Sequence, residues 1–540
     1  MANPITISGL DGKDPKDAVP AGPLPGTVPE LSVLFLDTQP CVALMEAAPP
    51  QPDYFVDLNL DQAVEVILAS RAEYGLGGLF REPLQSPDAV AYRHEVFRDL
   101  ADGNLLAALR TFADGMRAMR KQLGQADKLH YPLQQKRWHL EAVRTYCAAV
   151  SALSRSVRAC AIRSRALGAF GRFLDGYVAS APFGAMDAGV TGALAELDSI
   201  DYSVVVDGGT LRVLRYAQED DYSRVIEASF EKFRQGEARD HRVEFREFAD
   251  MNHIEAKVLE FVALLNPGAF QRMDELYATH RRYLDATVAM FDREIQFYLA
   301  YLEHVEKFAR IERPFCFPEV SESDKRVYAR GSFDIALGQK LMLAGRRVVC
   351  NDFELDDGQR MIVVSGPNQG GKTTFARMFG QLFHLAALGC PVPGTGARLL
   401  LSDRIFTHFE RQENIENLRG KLKDDLVRIH RILRKASSRS VLVMNEIFTS
   451  TSLADALFLS EKIMKEADRL DVIGVWVTFV DELASYSGRV VSMVSAVDPL
   501  QTGTRTFKVV RAPASGRSYA MSLAEKYGLT ADRIRERLQS

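Results

Sequence analysis

The sequence predicts a fold in two parts: a helical half over residues 51–330, then an α/β half with a mostly parallel sheet over residues 331–540, behind a tail over residues 1–50. Three observations carry this expectation. Between Tyr54 and Phe308 apolar residues recur at steps of three and four with few breakers, which is the period of packed helices. After residue 330, short apolar runs alternate with helical segments: MIVVS (361–365), SVLVM (440–444) and VIGVWVTF (472–479). Buried strands interleaved with helices make a parallel sheet. Finally, the glycine-rich stretch GPNQGGKTT stands directly between the first of those runs and a helical one.

Composition sets the outer bounds. With 540 residues the chain is too long for one ordinary core, and about three or four units are expected. Hydrophobic residues make up 47% and charged ones 26%, and 67 Lys and Arg nearly balance 71 Asp and Glu. That balance excludes bulk basic attraction to nucleic acid, so any such contact has to come from local patches. Cys41, Cys147, Cys160, Cys316, Cys350 and Cys390 are scattered without a Cys-x-x-Cys pair and read as reduced thiols of a cytoplasmic protein. The N-terminus lacks a basic start followed by an apolar run, so no signal peptide is expected. No stretch approaches the roughly 18 apolar residues of a spanning helix, so no membrane is expected either.

The tail is rich in Pro, Gly and Asp and reads as flexible or poorly packed. In the helical half, LDATVAMFDREIQFYLAYLEHVEKFA places Leu284, Val288, Phe291, Ile295, Tyr298, Leu302, Val305 and Ala309 at alternating steps of four and three, a heptad seam. An earlier candidate partner places Leu140, Val143, Cys147, Val150 and Val157 on one stripe. Between the two, YSVVVDGGTLRVLRY sets Asp-Gly-Gly between β-branched runs, a hairpin signal and the start of a small insertion near 200–240. The run RSVRACAIRSRALGAFGR carries Arg155, Arg158, Arg163, Arg165 and Arg172, and RKASSR adds Arg434, Lys435 and Arg439. Such runs are more often solvated helix faces than phosphate tracks.

The stretch from Gly366 to Thr373 fits G-x-x-x-x-G-K-[ST], and its strand-before, helix-after context is the one that chemistry requires. Glycines let successive backbone N–H groups close round phosphate oxygens, and the helix that follows presents its positive end. The expected ATP-binding residues are Gly366, Pro367, Asn368, Gln369, Gly370, Gly371, Lys372, Thr373 and Thr374. Lys372 would reach the β and γ phosphates, and the Thr373 hydroxyl would meet Mg²⁺.

At this point the residues resemble a known family. GPNQGGKTTFARMFGQLFHLAALGCPVPGTGARLLLSDRIFTHF looks like the ATPase domain of the MutS family of DNA mismatch repair proteins. Upstream, Asn351 and Asp352 resemble that family's Asn-Asp segment leading into the loop; downstream, SVLVMNEIFTSTSLADAL resembles its second nucleotide motif and GRSYAMSLAEKYGL its late Ser-Tyr-Gly segment. LFREPLQSPDAVAYRHEVFRDL is similar, more faintly, to the start of the family's core. The resemblance implies an ABC/MutS-type P-loop ATPase domain behind a helical core and lever domain with a clamp-like insertion. ATP and Mg²⁺ would be its cofactors, structure-specific DNA its partner, and two copies would pair through their ATPase domains.

The family's N-terminal mismatch-recognition domain finds no room before the core, and the triplets Phe80-Arg81-Glu82 and Phe245-Arg246-Glu247 fall in helical scaffold. Where the family's strand ends Asp-Glu, this chain has Asn445 and Glu446, so Glu446 is the expected catalytic residue and Asn445 a neutral metal contact. Thr478-Phe479 replaces the family's Thr-His, and NLRGKLKDDL, with Gly420 and Asp425, replaces the segment that completes the partner subunit's site. Slow hydrolysis coupled to DNA binding is the implied function. The alternative is a nucleotide-gated scaffold for protein partners with negligible turnover.

Overall fold

The structure, a computed structural model, describes residues 29–39, 49–207, 210–217, 229, 251–410, 420–497, 505–514 and 535. The chain divides into two compact units, one holding residues 102–162 and 169–292, the other holding 29–101, 163–168 and the chain from 293 onward.

The first unit is helical. Helix Gly103–Ala126 buries Leu105, Leu109, Phe112, Met116 and Met119, and pairs along its length with Pro132–Ala159. The stripe Leu140, Val143, Cys147, Val150 and Val157 of the second helix is buried, as its spacing predicts. Helices Ala181–Asp198 and Pro267–Thr279 pack against the same partner. Strands Tyr202–Asp207 and Thr210–Arg215 form the expected antiparallel hairpin, with Asp207 opposite Thr210. Most of the remaining insertion, 218–228 and 230–250, lies outside the described residues.

The basic run does not form one helix. Pro132–Ala159 ends, and a new helix starts at Arg165, because the Asp99 carboxylate accepts from the N–H groups of Arg163 (3.1 and 3.2 Å) and Ser164 (2.8 Å). Two of its arginines are also committed to carboxylates, Arg158 to Asp175 (2.9 Å), and Arg165 to Asp88 and Glu95 (2.9 Å each).

Helix Ala286–Ala309 occupies the expected heptad segment, but residues 293–301 are buried round its whole circumference. A seam facing one partner would leave its polar positions in water. Here Arg293 donates to Tyr74 O (3.0 Å), and Gln296 accepts from Arg71 (3.1 Å). Glu294 takes a hydroxyl bond from Ser32 and an N–H bond from Val33, both 2.6 Å. Within the stretch expected to be flexible or poorly packed, Ser32, Val33 and Leu34 are buried, since Glu294 and Tyr298, whose hydroxyl donates to Val33 O at 2.6 Å, fix their backbone.

The second unit is built on a six-stranded sheet: β1 Met361–Ser365, β2 Ile405–Phe409, β3 Val441–Asn445, β4 Ile473–Val477, β5 Val490–Val497 and β6 Arg505–Arg511, in the order β2-β3-β4-β1-β5-β6. Every pair is parallel except β5 with β6. The strands β1, β3 and β4 are apolar without alternation because both faces are covered. On one face Met361, Val363, Leu442, Met444 and Trp476 share a core with Ile429 and Ile432 of helix Lys421–Lys435 and with Ile463 and Met464 of helix Leu453–Leu470. Helix Lys372–Ala387, called α1, lies against β3 and β4. Its Phe379 packs on Phe353 (4.9 Å between ring centres) of a second, four-stranded sheet. No helix among the described residues is long and apolar enough to cross a membrane.

Candidate functional site

Three neighbouring parallel strands, β1, β3 and β4, end on the same edge of the sheet. They deliver the loop 366–371, the pair Asn445-Glu446 and the pair Thr478-Phe479, the arrangement from which α/β proteins build binding sites.

The loop is shaped by glycine where nothing else fits. A Cβ on Gly370 would stand 2.1 Å from Ser495 Oγ and 3.0 Å from Pro367 O, while Gly371 has φ +96°, which an L side chain rarely adopts. Ser495 holds the turn from β5, its hydroxyl donating to Gly370 O at 2.7 Å. Pro367 is buried, and Asn368 and Gln369 are exposed, Gln369 with φ +61°. Gly371 opens α1, and no side chain caps that helix. The N–H groups of its first turn, including those of Thr373 and half-buried Thr374, therefore face the site as a natural anion cradle.

Lys372 is buried and lies across the loop, its ammonium donating to Gly366 O (2.7 Å) and Asn368 Oδ1 (3.1 Å), with Glu446 Oε1 at 3.7 Å. Burial lowers its pKa; the Glu446 carboxylate acts in the opposite direction, Arg505 adds to the lowering and Asp481 opposes it. An approaching phosphate would favour the charged form. The Thr373 hydroxyl donates to Asn445 Oδ1 at 3.0 Å. Glu446 follows in the left-handed region, φ +51°, with its N–H on Val477 O at 2.9 Å, so β4 fixes the backbone that aims this carboxylate.

A divalent ion fits this donor set only in company. Among the described residues no group of three or more His, Cys, Asp or Glu could hold a metal. With its proton on Asn445, the Thr373 hydroxyl keeps a lone pair for an ion whose other oxygens come from water and from a bound phosphate.

The structure brings Lys372 and Glu446, and Thr373 and Asn445, within contact, and places other expected residues differently. Thr478 is buried, donating its N–H to Val364 O (3.1 Å) and accepting from Val480 N (3.0 Å), while Phe479 is half-exposed. Gly420 precedes helix Lys421–Lys435 with no side chain to cap it, and residues 411–419 lie outside the described residues, as does 515–534, which holds the whole Ser-Tyr segment. Asp425 stands 3.2 Å from His408 Nε2. Phe80, of the first Phe-x-Glu triplet, is a core residue packed on Phe297 (4.7 Å between ring centres), and Phe245 lies outside the described residues. Sequence reading misses Ser495 and Phe507, the latter beside Gly371, because neither stands in a motif and both reach the loop from β5 and β6.

Residues 362–538 match the family model of MutS domain V. Among curated proteins, the chain is similar to the DNA mismatch repair protein MutS of Desulfovibrio desulfuricans, 28% identical over 240 residues, 43% of this chain and 26% of that protein. The proteins of that name from Chlorobium phaeobacteroides (27% identical, 44% of this chain and 28% of the relative) and Chlorobaculum tepidum (26% identical, 53% and 32%) are similar as well. The matched stretches thus span about a quarter to a third of the relatives' length.

Proposed function

Because the chain belongs to the MutS family, with a domain V at residues 362–538, we propose that it binds ATP at the Gly366–Thr374 loop, hydrolyses it slowly, and uses the nucleotide to set its grip on DNA. The DNA is of mismatched, branched or otherwise non-B form. The observation that carries the reading is the convergence of Lys372 and Glu446, 3.7 Å apart, with Thr373 and Asn445, 3.0 Å apart, at the uncapped start of α1.

Each residue takes a role from its place. Backbone N–H groups of the loop and of the α1 first turn receive phosphate oxygens, and Lys372 turns from Gly366 O and Asn368 Oδ1 toward the β and γ phosphates. Glu446, held by Val477 O, orients and polarises the attacking water. Thr373 and Asn445 position Mg²⁺, which when bound supplies charge neutralisation between the phosphates.

Three positions make turnover slow. Asn445 offers a neutral acceptor where a carboxylate would give a charge-assisted bond, a difference of about 1 kcal/mol. Phe479 offers no hydrogen bond to phosphate or water, and Gly420 brings no side chain to a neighbouring subunit's nucleotide. In this reading the protein is a cytoplasmic homodimer joined through its ATPase domains, and ATP tightens it. Sedimentation that shows only monomer with saturating ATP and Mg²⁺ counts against the dimer.

The deciding experiment is single-turnover hydrolysis with Mg²⁺, with and without branched DNA, in the parent, Glu446→Gln and Asn445→Asp. Loss in the first variant and acceleration in the second support a slow ATPase. ATP that binds and is not cleaved in any of the three supports the second reading, a nucleotide-gated scaffold for protein partners. The uncharged Thr373–Asn445 contact and the apolar Phe479 favour that reading.

A further inference from the structure

Where β3 ends, two of three consecutive residues take a backbone that their chemistry disfavours. After Asn445 the chain turns through Glu446 (φ +51°), Ile447 and Phe448 (φ +62°). Both angles are left-handed, where glycine sits freely and a Cβ is crowded. For a ring as large as phenylalanine's the conformation is an outlier. Such backbone persists only where the surroundings overdetermine it, and it gathers at functional sites.

The surroundings of this turn hold it from below. Glu446 is fixed at its N–H, which donates to Val477 O (2.9 Å), while its side chain stays 32% exposed and reaches toward Lys372 (3.7 Å). Beyond the turn, the Thr449 hydroxyl donates to Glu410 (3.0 Å) in an exposed contact. Between these points Ile447 and Phe448 enter the core, 4% and 0% exposed, in one cluster with Met444, Trp476, Val480 and Leu483. Val480 and Leu483 follow β4 just past Thr478, so the ring ties the turn after β3 to the segment after β4. With the ring locked in the core and the Glu446 N–H locked on β4, the peptide planes between them have little freedom. The Cα–Cβ bond of Glu446 is thereby aimed at the phosphate loop. We propose that Phe448 is a positioning residue, whose buried ring holds the Glu446 carboxylate where hydrolysis needs it. The inference rests on Glu446 as the group that orients the attacking water, and adds what keeps that carboxylate in place. A displaced catalytic group costs rate and leaves substrate binding alone, so the ring should matter to turnover and not to ATP affinity.

The test reads both quantities in the full chain with Mg²⁺: single-turnover ATP hydrolysis, and ATP affinity by calorimetry, with circular dichroism to verify folding. Phe448→Gly frees the turn, because glycine takes the left-handed conformation without the ring's anchor. Its rate should fall by about tenfold or more while ATP affinity stays within about twofold. Phe448→Leu, which keeps an apolar anchor of smaller size, should recover most of the rate, and it carries the test if the glycine variant does not fold. In Glu446→Asp, whose shorter carboxylate is already out of place, either substitution at Phe448 should remove little more. Rate and affinity that fall together overturn the proposal, since the ring then supports the whole site. An unchanged rate overturns it too, as does a loss in the Glu446→Asp background equal to that in the parent. A parent that cleaves ATP no slower as Glu446→Gln overturns the role of Glu446 on which the inference rests. A parent that binds ATP and never cleaves it overturns slow hydrolysis, and the positioning role with it.

Discussion

Replacing Gly370 by alanine should damage nucleotide binding through one identifiable neighbour. The added Cβ would meet Ser495 Oγ at 2.1 Å, Pro367 O at 3.0 Å and Ser495 Cβ at 3.1 Å. The first contact can be relieved by turning the serine side chain, which sacrifices its 2.7 Å bond to Gly370 O and costs about 1 kcal/mol. The other two require the loop or β5 to give by a few tenths of an ångström, as in any overpacked core site, for a total of about 2–3 kcal/mol. If that strain is felt by the closed loop, ATP affinity should fall roughly 30- to 150-fold. Ser495→Ala alone should lose about fivefold, from the one hydrogen bond. In the double variant the 2.1 Å contact is gone, so its loss should be smaller than the sum of the two single losses by about 1 kcal/mol. Calorimetric titration of ATP into the four proteins, with circular dichroism to verify folding, reads the cycle. A Gly370→Ala protein that binds within twofold of the parent, or strictly additive losses, would refute the assignment of Ser495 as the neighbour that demands glycine.

Burial holds His94 and His384 down to about 4 and His304 to about 3, against an ordinary 6.5. As pH falls below 6.5 the unfolded chain therefore takes up protons before the native one. Each histidine should remove about 2 kcal/mol of stability by pH 5, from roughly 1.5 pH units at 1.36 kcal/mol each, and denaturant titrations at pH 7 and 5 should show the decline, smaller in His384→Gln. Asp57 is a buried carboxylate that accepts from the Thr407 hydroxyl (2.6 Å) and Arg428 (2.8 Å). Arg428→Met should destabilise by about 3 kcal/mol, and adding Asp57→Asn should recover part of it, by chemical unfolding. Asn445→Asp places a negative charge at a buried site where the neutral Thr373 hydroxyl now donates, so its melting temperature should fall in EDTA and respond more than the parent's to Mg²⁺ with ATP.

What the sequence makes legible here is what backbone geometry demands locally. The runs of β1, β3 and β4 are readable as central strands because strands covered on both faces lose polar alternation. The loop is readable because its glycines, lysine and threonine lie within eight residues and serve one geometry. The heptad in helix Ala286–Ala309 misleads for a physical reason: periodicity counts apolar residues and assumes that polar ones face water. Arg293, Glu294 and Gln296 are buried because partners as far away as Tyr74, Ser32 and Arg71 satisfy them, and no window of adjacent residues contains those partners. Ser495, and the contact that Asn351 makes, escape for the same cause. Ser495 meets Gly370 from 125 positions away, and Asn351 meets Val509 from 158. The glycine at 370 therefore appears in the pattern, while the serine that makes it necessary does not. It follows that substitutions within the loop can be ranked from the motif, but their rescue can be designed only from the strands that support it, β5 through Ser495 and β6 through Phe507.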